Sequence, residues 1–256
     1  MNILVANDDG IKARGLRELV DALHLRAGAT VYVFAPDGQR SAVSHAITLG
    51  RKVPVTQVDY DNAELAFVLD GTPADCVALG EKILRDREIE IDMVFAGINH
   101  GSNVGTDTTY SGTVGAAIEG CIQGYPSVAV SVDSHQAEYF EYACDLAVET
   151  VEKTGGKWDS EIVININTPN LPKDEIKGVR YTVCGDREYI NDVQYAGTEG
   201  DTSYYIYGGE PIHYAEDQED IDVLAIQNGY ASISPLHKDM TATYAKADIE
   251  RWRIGK

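Results

Sequence analysis

Cysteine, positive charge and long apolar runs are all scarce in this chain, and each scarcity removes a class of protein. The four cysteines, Cys76, Cys121, Cys144 and Cys184, are widely spaced, with no C-x-x-C and no interleaved histidine. That spacing argues against a zinc cage and a disulfide scaffold and suits a reducing cytoplasm. No segment approaches the roughly 18 apolar residues of a membrane span. The opening MNILVANDDG carries an apolar run too short for a signal-peptide core, followed at once by two acids, so a soluble cytoplasmic protein without a membrane partner is expected. Lys and Arg number 21 against 41 Asp and Glu, a formal charge of −20. So acidic a surface repels polyphosphate backbones and argues against a nucleic-acid polymer as partner. It also repels a small phosphate, so any phosphate chemistry here needs a local cation, which a bound divalent metal supplies. There is no Gly-Lys-Ser/Thr and no G-x-G-x-x-G, hence neither a P-loop nor the dinucleotide fingerprint. Internal repeats and linkers are also absent.

What is present is an alternation. The 256 residues, 44% hydrophobic and 24% charged, suffice for one large domain or one with an appendage. Strands are predicted at Asn2–Ala6, Val31–Ala35, Phe67–Leu69, Met93–Ala96, Ser127–Val132 and Ile162–Ile166. Helices are predicted at Gly15–Ala27, Ala74–Leu84, Thr113–Gln123 and Tyr139–Thr154. The strands are unbroken apolar runs rather than alternating ones, which predicts an α/β fold with a mostly parallel sheet covered on both faces. Two regions break the rhythm. Ala46–Tyr60, around Gly50-Arg51, reads as an antiparallel hairpin leaving the core. Residues 178–235 lose helical periodicity and hold eight of the 15 tyrosines. They read either as a self-association surface or as an aromatic β-meander covering a sheet edge.

Three polar constellations follow predicted strands, where open α/β sheets bind ligands. Asn7-Asp8-Asp9-Gly10 follows the first. Two adjacent carboxylates in a tight turn can share one hard cation such as Mg²⁺ or Mn²⁺, although the same residue types also make ordinary turns and N-caps. After the second strand comes a loop with Arg40, Ser41, Ser44 and His45. Ser41 can ligate a metal through its hydroxyl. Ser44 and His45 can face a phosphate or leaving group, while Arg40 also reads as a surface charge and His45 as the start of the hairpin. The third runs from Gly97-Ile98-Asn99-His100 through Asn103 and Asp107 to Ser111-Gly112-Thr113 at a helix start. Its glycines let backbone amides approach a ligand, and the helix N-terminus suits phosphate. The alternative is a glycine-rich loop ending in a Ser/Thr N-cap. A fourth stretch, Asp70-Gly71-Thr72-Pro73-Ala74-Asp75, reads as a capped helix start on the site's rim.

Together, NDDG, APD-x-x-RSA-x-S-HAITL, DGTPADCV, GIN-x-G-x-N-x-G-x-D-x-x-YSGTVGAA-x-EG, NINTPNLP and GY-x-SI-SPL resemble the SurE family of stationary-phase survival phosphatases, in order over residues 1–236. The resemblance implies a 5′(3′)-nucleotidase with a Rossmann-like core, dependent on one Mg²⁺ or Mn²⁺ ion and able to take short polyphosphate. By position it puts the metal ligands on Asp8, Asp9, Ser41 and Asn99, and the phosphate contacts on Ser111, Gly112 and Thr113 with Asn103 and Asp107 nearby. It implies a homodimer or homotetramer joined by β extensions and a C-terminal arm. Residues 1–256 then form one domain: a core at 1–177 and 222–236, a β extension at 178–221 and an arm at 237–256. Many members carry Arg where this chain has His100, and residues 185–221 match little.

These readings converge on a phosphomonoesterase for nucleoside monophosphates in which Asp8, Asp9, Asn99 and Ser111 carry the chemistry and a water made acidic by the metal is the nucleophile. Adjacent acids argue against the D-x-D of enzymes that form an aspartyl intermediate. A receiver-type signalling domain shares the acidic pair but needs a phosphoacceptor Asp where this chain has Gly97-Ile98-Asn99. A nucleotide-binding module without catalysis is the remaining alternative.

Overall fold

The computed structural model describes residues 1–214 and 218–253. Six parallel strands make the centre of a nine-stranded sheet: β1 (Asn2–Ala6), β2 (Thr30–Pro36), β4 (Leu65–Leu69), β5 (Met93–His100), β6 (Ser127–Asp133) and β7 (Ile162–Pro169). Edge strands β3 (Val55–Val58) and β8 (Val179–Tyr181), the latter paired to β13 (Ala231–His237), complete the order β3-β4-β2-β1-β5-β6-β7-β13-β8. β3 and β13 run antiparallel to β4 and β7. Four helices link the parallel strands: α1 (Arg14–Leu25), α2 (Pro73–Asp86), α3 (Gly112–Ile122) and α4 (Glu141–Thr154). Because side chains alternate along a strand, Ile3 and Val5 join the core under α1 and α4, while Leu4 and Ala6 join the core under α2 and α3. Both faces are therefore covered, which is why the strands read as unbroken apolar runs.

The order turns outward in both directions from β1 and β5. Their carboxyl ends flank the switch point, where doubly wound sheets open a crevice. β5 runs four residues past its predicted end. A register shift between Ala96 and Asn99 bulges the strand at Gly97, whose φ of +136° favours glycine, and pairing then resumes with Asn99 opposite Ser131.

The hairpin expected at Ala46–Tyr60 does not form. Only Val55–Val58 is a strand, and it pairs with β4. Residues before it are held by side chains: the Thr48 N–H and hydroxyl both donate to Asp75 (2.8 and 2.6 Å), and the Thr72 hydroxyl donates to the Ala46 carbonyl at 2.6 Å. With those groups committed to the start of α2, no cross-strand partner is needed.

A short helix, α5 (Asp222–Gln227), interrupts the segment that had lost helical periodicity. The rest of that segment contains β9 (Tyr189–Ile190) paired with β12 (Glu210–Pro211), and a hairpin of β10 (Val193–Glu199) with β11 (Thr202–Tyr207). Nearly every hairpin residue is exposed. Beyond β13 the described residues form an exposed stretch with α6 (Lys246–Arg251). Three positions expected in the β extension, 215–217, and three in the arm, 254–256, lie outside the described residues. Among the described residues no helix is long and apolar enough to cross a membrane.

Candidate active site

Asn7 closes the turn after β1 on itself. Its Nδ2 donates to the Gly10 carbonyl (2.9 Å) and its Oδ1 accepts from the Gly10 N–H (3.2 Å). Gly10 has φ +99°, and a Cβ there would meet the Gly38 backbone at 3.1 Å. The turn is thus braced against the loop after β2, and the Arg40 N–H donates to the Asp8 carbonyl at 2.7 Å. That hydrogen bond ties the residue before Ser41 to the backbone of the acidic pair, and Ser41 itself is exposed.

Asp8 is almost fully buried. Burial pushes its carboxyl from 3.8 to about 6, against the pull of the Thr113 hydroxyl, and the neighbouring Asp9 charge raises it further. The Thr113 hydroxyl donates to Asp8 Oδ1 at 2.6 Å. Asp9 is also raised by burial, offset by the His100 N–H donating to its Oδ2 at 3.0 Å and by the charges of His100 and His135. No cationic side chain is among the groups that shift Asp8. Two crowded carboxylates, one of them deeply buried, are unfavourable as an anionic pair without a counter-charge.

Asn99 is buried at the end of β5 and spends its Nδ2 on the Gly101 carbonyl (2.7 Å), so its Oδ1 is the atom left to accept. Among the described residues no three His, Cys, Asp or Glu side chains are grouped so that they could hold a metal ion by themselves. What stands at the ends of β1 and β5 is two carboxylates and the amide oxygen of Asn99, with the Ser41 hydroxyl one residue beyond the Arg40 tether. An all-oxygen set of this kind fits a hard ion such as Mg²⁺ or Mn²⁺ and not a thiolate-seeking metal.

The N-terminus of α3 closes the site. Gly112 abuts Asp8 so closely that a Cβ would stand 3.1 Å from both Asp8 Cβ and Oδ2. Ser111 caps the helix by accepting the Val114 N–H at 3.0 Å, which leaves its hydroxyl proton for donation. The positive end of the helix faces the acidic pair and whatever anion joins it. Thr113 is fully buried, and its hydroxyl serves Asp8 rather than standing open to a ligand.

Other expected site residues have different occupations. Ser44 fastens its loop to the next one, donating its hydroxyl to the Thr109 carbonyl (2.7 Å) and its N–H to the Tyr110 carbonyl (2.9 Å). His45 pairs through Nε2 with Glu119 at 2.7 Å. That lies about two turns, roughly 10 Å, along α3 from Gly112. Asn103 is buried in an amide network. Its N–H donates to Asn167 Oδ1 (2.7 Å), its Nδ2 donates to the Ser131 hydroxyl (2.8 Å), and its carbonyl accepts from Asn165 and Asn167. Asp107 pairs with Arg187 and accepts the Tyr189 hydroxyl. The His100 ring accepts the Ala137 N–H at Nδ1 (3.3 Å) and stands edge-on to Phe140.

Sequence reasoning missed Arg187, Asp222 and His135. Arg187 and Asp222 bind the glycine-rich loop from more than 80 residues away. The NINTPN run did signal Asn165 and Asn167, but without a role.

Comparison with known proteins places the chain as a whole. A family model described as "Survival protein SurE" matches residues 3–191. The 5′-nucleotidase SurE of Pelotomaculum thermopropionicum is 41% identical over 242 residues, covering 94% of this chain and 91% of its own. The 5′/3′-nucleotidase SurE of Proteus mirabilis is 40% identical over 259 residues, covering 98% and 96%. The crystal structure of the SurE protein from Aquifex aeolicus superposes with a TM-score of 0.83 at 34% identity, over 98% of this chain and 99% of that one.

Proposed function

This chain belongs to the SurE family, and from that premise we propose that it is a divalent-metal-dependent phosphomonoesterase releasing phosphate from nucleoside 5′- and 3′-monophosphates. One observation carries the reading: the buried Asp8 carboxylate, beside Asp9 and without a cationic neighbour among the groups that shift it, lies against the N-terminus of α3. Asp8, Asp9, Ser41 and Asn99 would hold one Mg²⁺ or Mn²⁺ ion. When bound, such an ion supplies the charge that offsets the phosphoryl oxygens and makes water acidic enough to be a nucleophile near neutral pH.

The chain's own residues do the rest. Ser111 donates its hydroxyl to the phosphate, and the start of α3 at Gly112 presents N–H groups and the positive helix end to it. Thr113 holds the Asp8 carboxylate in one orientation, and the His100 N–H does the same for Asp9. Asn103 and Asp107 support the loop that carries these groups rather than touching substrate. A site that recognises the phosphoryl group first also accommodates short polyphosphate. We place assembly, as a dimer or tetramer, on the exposed tyrosines of the β10–β11 hairpin and on the exposed Met240, Tyr244, Ile249 and Trp252 beyond β13.

Asp8→Asn keeps the shape of the side chain and removes its charge. Phosphate release from nucleoside monophosphates should fall at least a hundredfold while the circular dichroism spectrum is unchanged. Addition of Mn²⁺, which should raise the wild-type Tm by several degrees through preferential binding to the folded state, should no longer do so. Unchanged turnover in this variant overturns the assignment.

A further inference from the structure

Five features join residues 185–189 to the glycine-rich loop between Asn99 and Ser111. Asp222, fully buried, bridges the two backbones: its Oδ2 accepts the Gly105 N–H at 2.7 Å and its Oδ1 accepts the Gly185 N–H at 2.9 Å. The Thr106 hydroxyl donates to the Arg187 carbonyl at 3.1 Å. The backbones approach so closely at Gly105 that a Cβ there would stand 2.6 Å from the Gly185 carbonyl oxygen. The Tyr189 hydroxyl donates to Asp107. Arg187 is the fifth feature and the most connected. Its Nη1 donates to the Ser102 hydroxyl at 2.8 Å, its Nε stands 3.3 Å from Asp107 Oδ2, and its Nη2 lies 3.9 Å from Asp133 Oδ1. Ser102 in turn donates to Asp133. The Arg187 side chain is 14% exposed, and its guanidinium packs beside the Tyr189 ring.

We propose that Arg187 is a positioning residue for the phosphate site, latching the Gly101–Thr109 loop through Asp107, Ser102 and Asp133 so that Asn99 and Ser111 at its two ends keep their places. This rests on the reading of Ser111 and Gly112 as the phosphate cradle. The loop has little of its own to hold it. It contains two glycines, Gly101 and Gly105, and one short 3-10 turn, Gly105–Thr109, and its only aliphatic anchor in the core is Val104. A segment so constituted opens readily unless its polar groups are tied elsewhere. Asn103 is tied to the sheet, Gly105 to Asp222, and the stretch from Ser102 to Asp107 to Arg187. An arginine suits this position because its spread guanidinium fork donates to the Ser102 hydroxyl while its other nitrogens lie within ion-pair distance of Asp107 and Asp133, whereas a lysine offers a single compact charge.

Arg187→Met retains the stem of the side chain and removes the fork. In this variant, amide hydrogen exchange of residues 101–109 should accelerate at least tenfold relative to wild type, with exchange in β1 and β2 unchanged. With saturating Mn²⁺, KM for a nucleoside monophosphate should rise about tenfold while kcat stays within threefold, because a contact made equally to substrate and transition state appears in KM. Arg187→Lys, which retains the charge facing Asp107 but not the fork, should recover part of the KM. Asp107→Asn, which breaks the same latch from the other side, should repeat the exchange result and serves if Arg187→Met does not fold. Unchanged exchange at 101–109 overturns the proposal, as does a fall in kcat with KM unaltered. A wild-type protein that hydrolyses no nucleotide would instead overturn the proposed function, and the exchange measurement would still decide the latch.

Discussion

Asp8 and Asp75 are both buried carboxylates, and their surroundings drive them in opposite directions. Around Asp8, burial dominates the single hydroxyl donor, and its acidity weakens. Around Asp75 burial is again the largest influence, yet donors from Thr48 and Thr72 together outweigh it and hold the carboxyl below its ordinary 3.8. A carboxyl depressed in the folded state contributes stability that is present above its unfolded value and is lost as pH falls through the folded one. Asp75→Asn should therefore cost about 1–2 kcal/mol near neutral pH, from lost capping and charge-assisted hydrogen bonds. The Tm gap to wild type should narrow below about pH 4. Thermal melts between pH 3 and pH 7 check it, and a gap independent of pH would show that the charge is irrelevant. At this scale the sequence was half legible. Thr72, Pro73 and Asp75 stand together in it as a cap, the cap forms as read, and the Asp75 side chain closes it into a capping box. The Thr48 tether comes from 27 residues away, and no local spacing announces it.

At the scale of elements, hydrophobic runs placed the strands and helices of the first two-thirds of the chain to within a few residues. They did so because each is buried by its own apolar face. The expectation for 46–60 failed where side chains, not strand partners, satisfied the backbone. The short helix α5 was missed because six residues are too few for a helical period to emerge. One contact between elements bears directly on the site. Gly15 in α1 lies so close to β5 that a Cβ would be 2.1 Å from the Ile98 carbonyl oxygen, one residue before Asn99. Since backbone cannot swing aside as a side chain does, Gly15→Ala must push α1 off the sheet. A loss of about 2–3 kcal/mol is expected from overpacking of this kind, with reduced phosphatase activity as Asn99 shifts. Chemical denaturation and turnover measure the two effects, and a variant as stable as wild type would contradict this packing.

At the scale of the whole molecule, a formal charge of −20 coexists with a concentration of uncovered aromatic surface. Tyr195, Tyr205, Ile206 and Tyr207 on the hairpin are each more than 60% exposed, Tyr204 is 46% exposed, and Trp252 beyond α6 is 67% exposed. Like-charged copies repel, so association needs apolar contact large enough to exceed that repulsion. Light scattering should give a mass that is a multiple of 27.9 kDa, and the double substitution Tyr205→Glu with Tyr207→Glu should reduce it without changing the Tm of the core. A wild-type mass of one chain would remove the assembly proposal.

The sequence by itself determined the α/β class, the covered parallel sheet, the family and the acidic pair after the first strand. These follow from the periods of apolar residues and from side chains adjacent in the chain. Only the tertiary structure decided which polar residues face the site and which support it. His45 was committed to Glu119, Asn103 to the asparagines of β7, and Thr113 to Asp8, while Arg187 and Asp222 reached the loop from its far side. Burial of a polar group demands a partner wherever one lies in space, and for these residues the partner is far away along the chain.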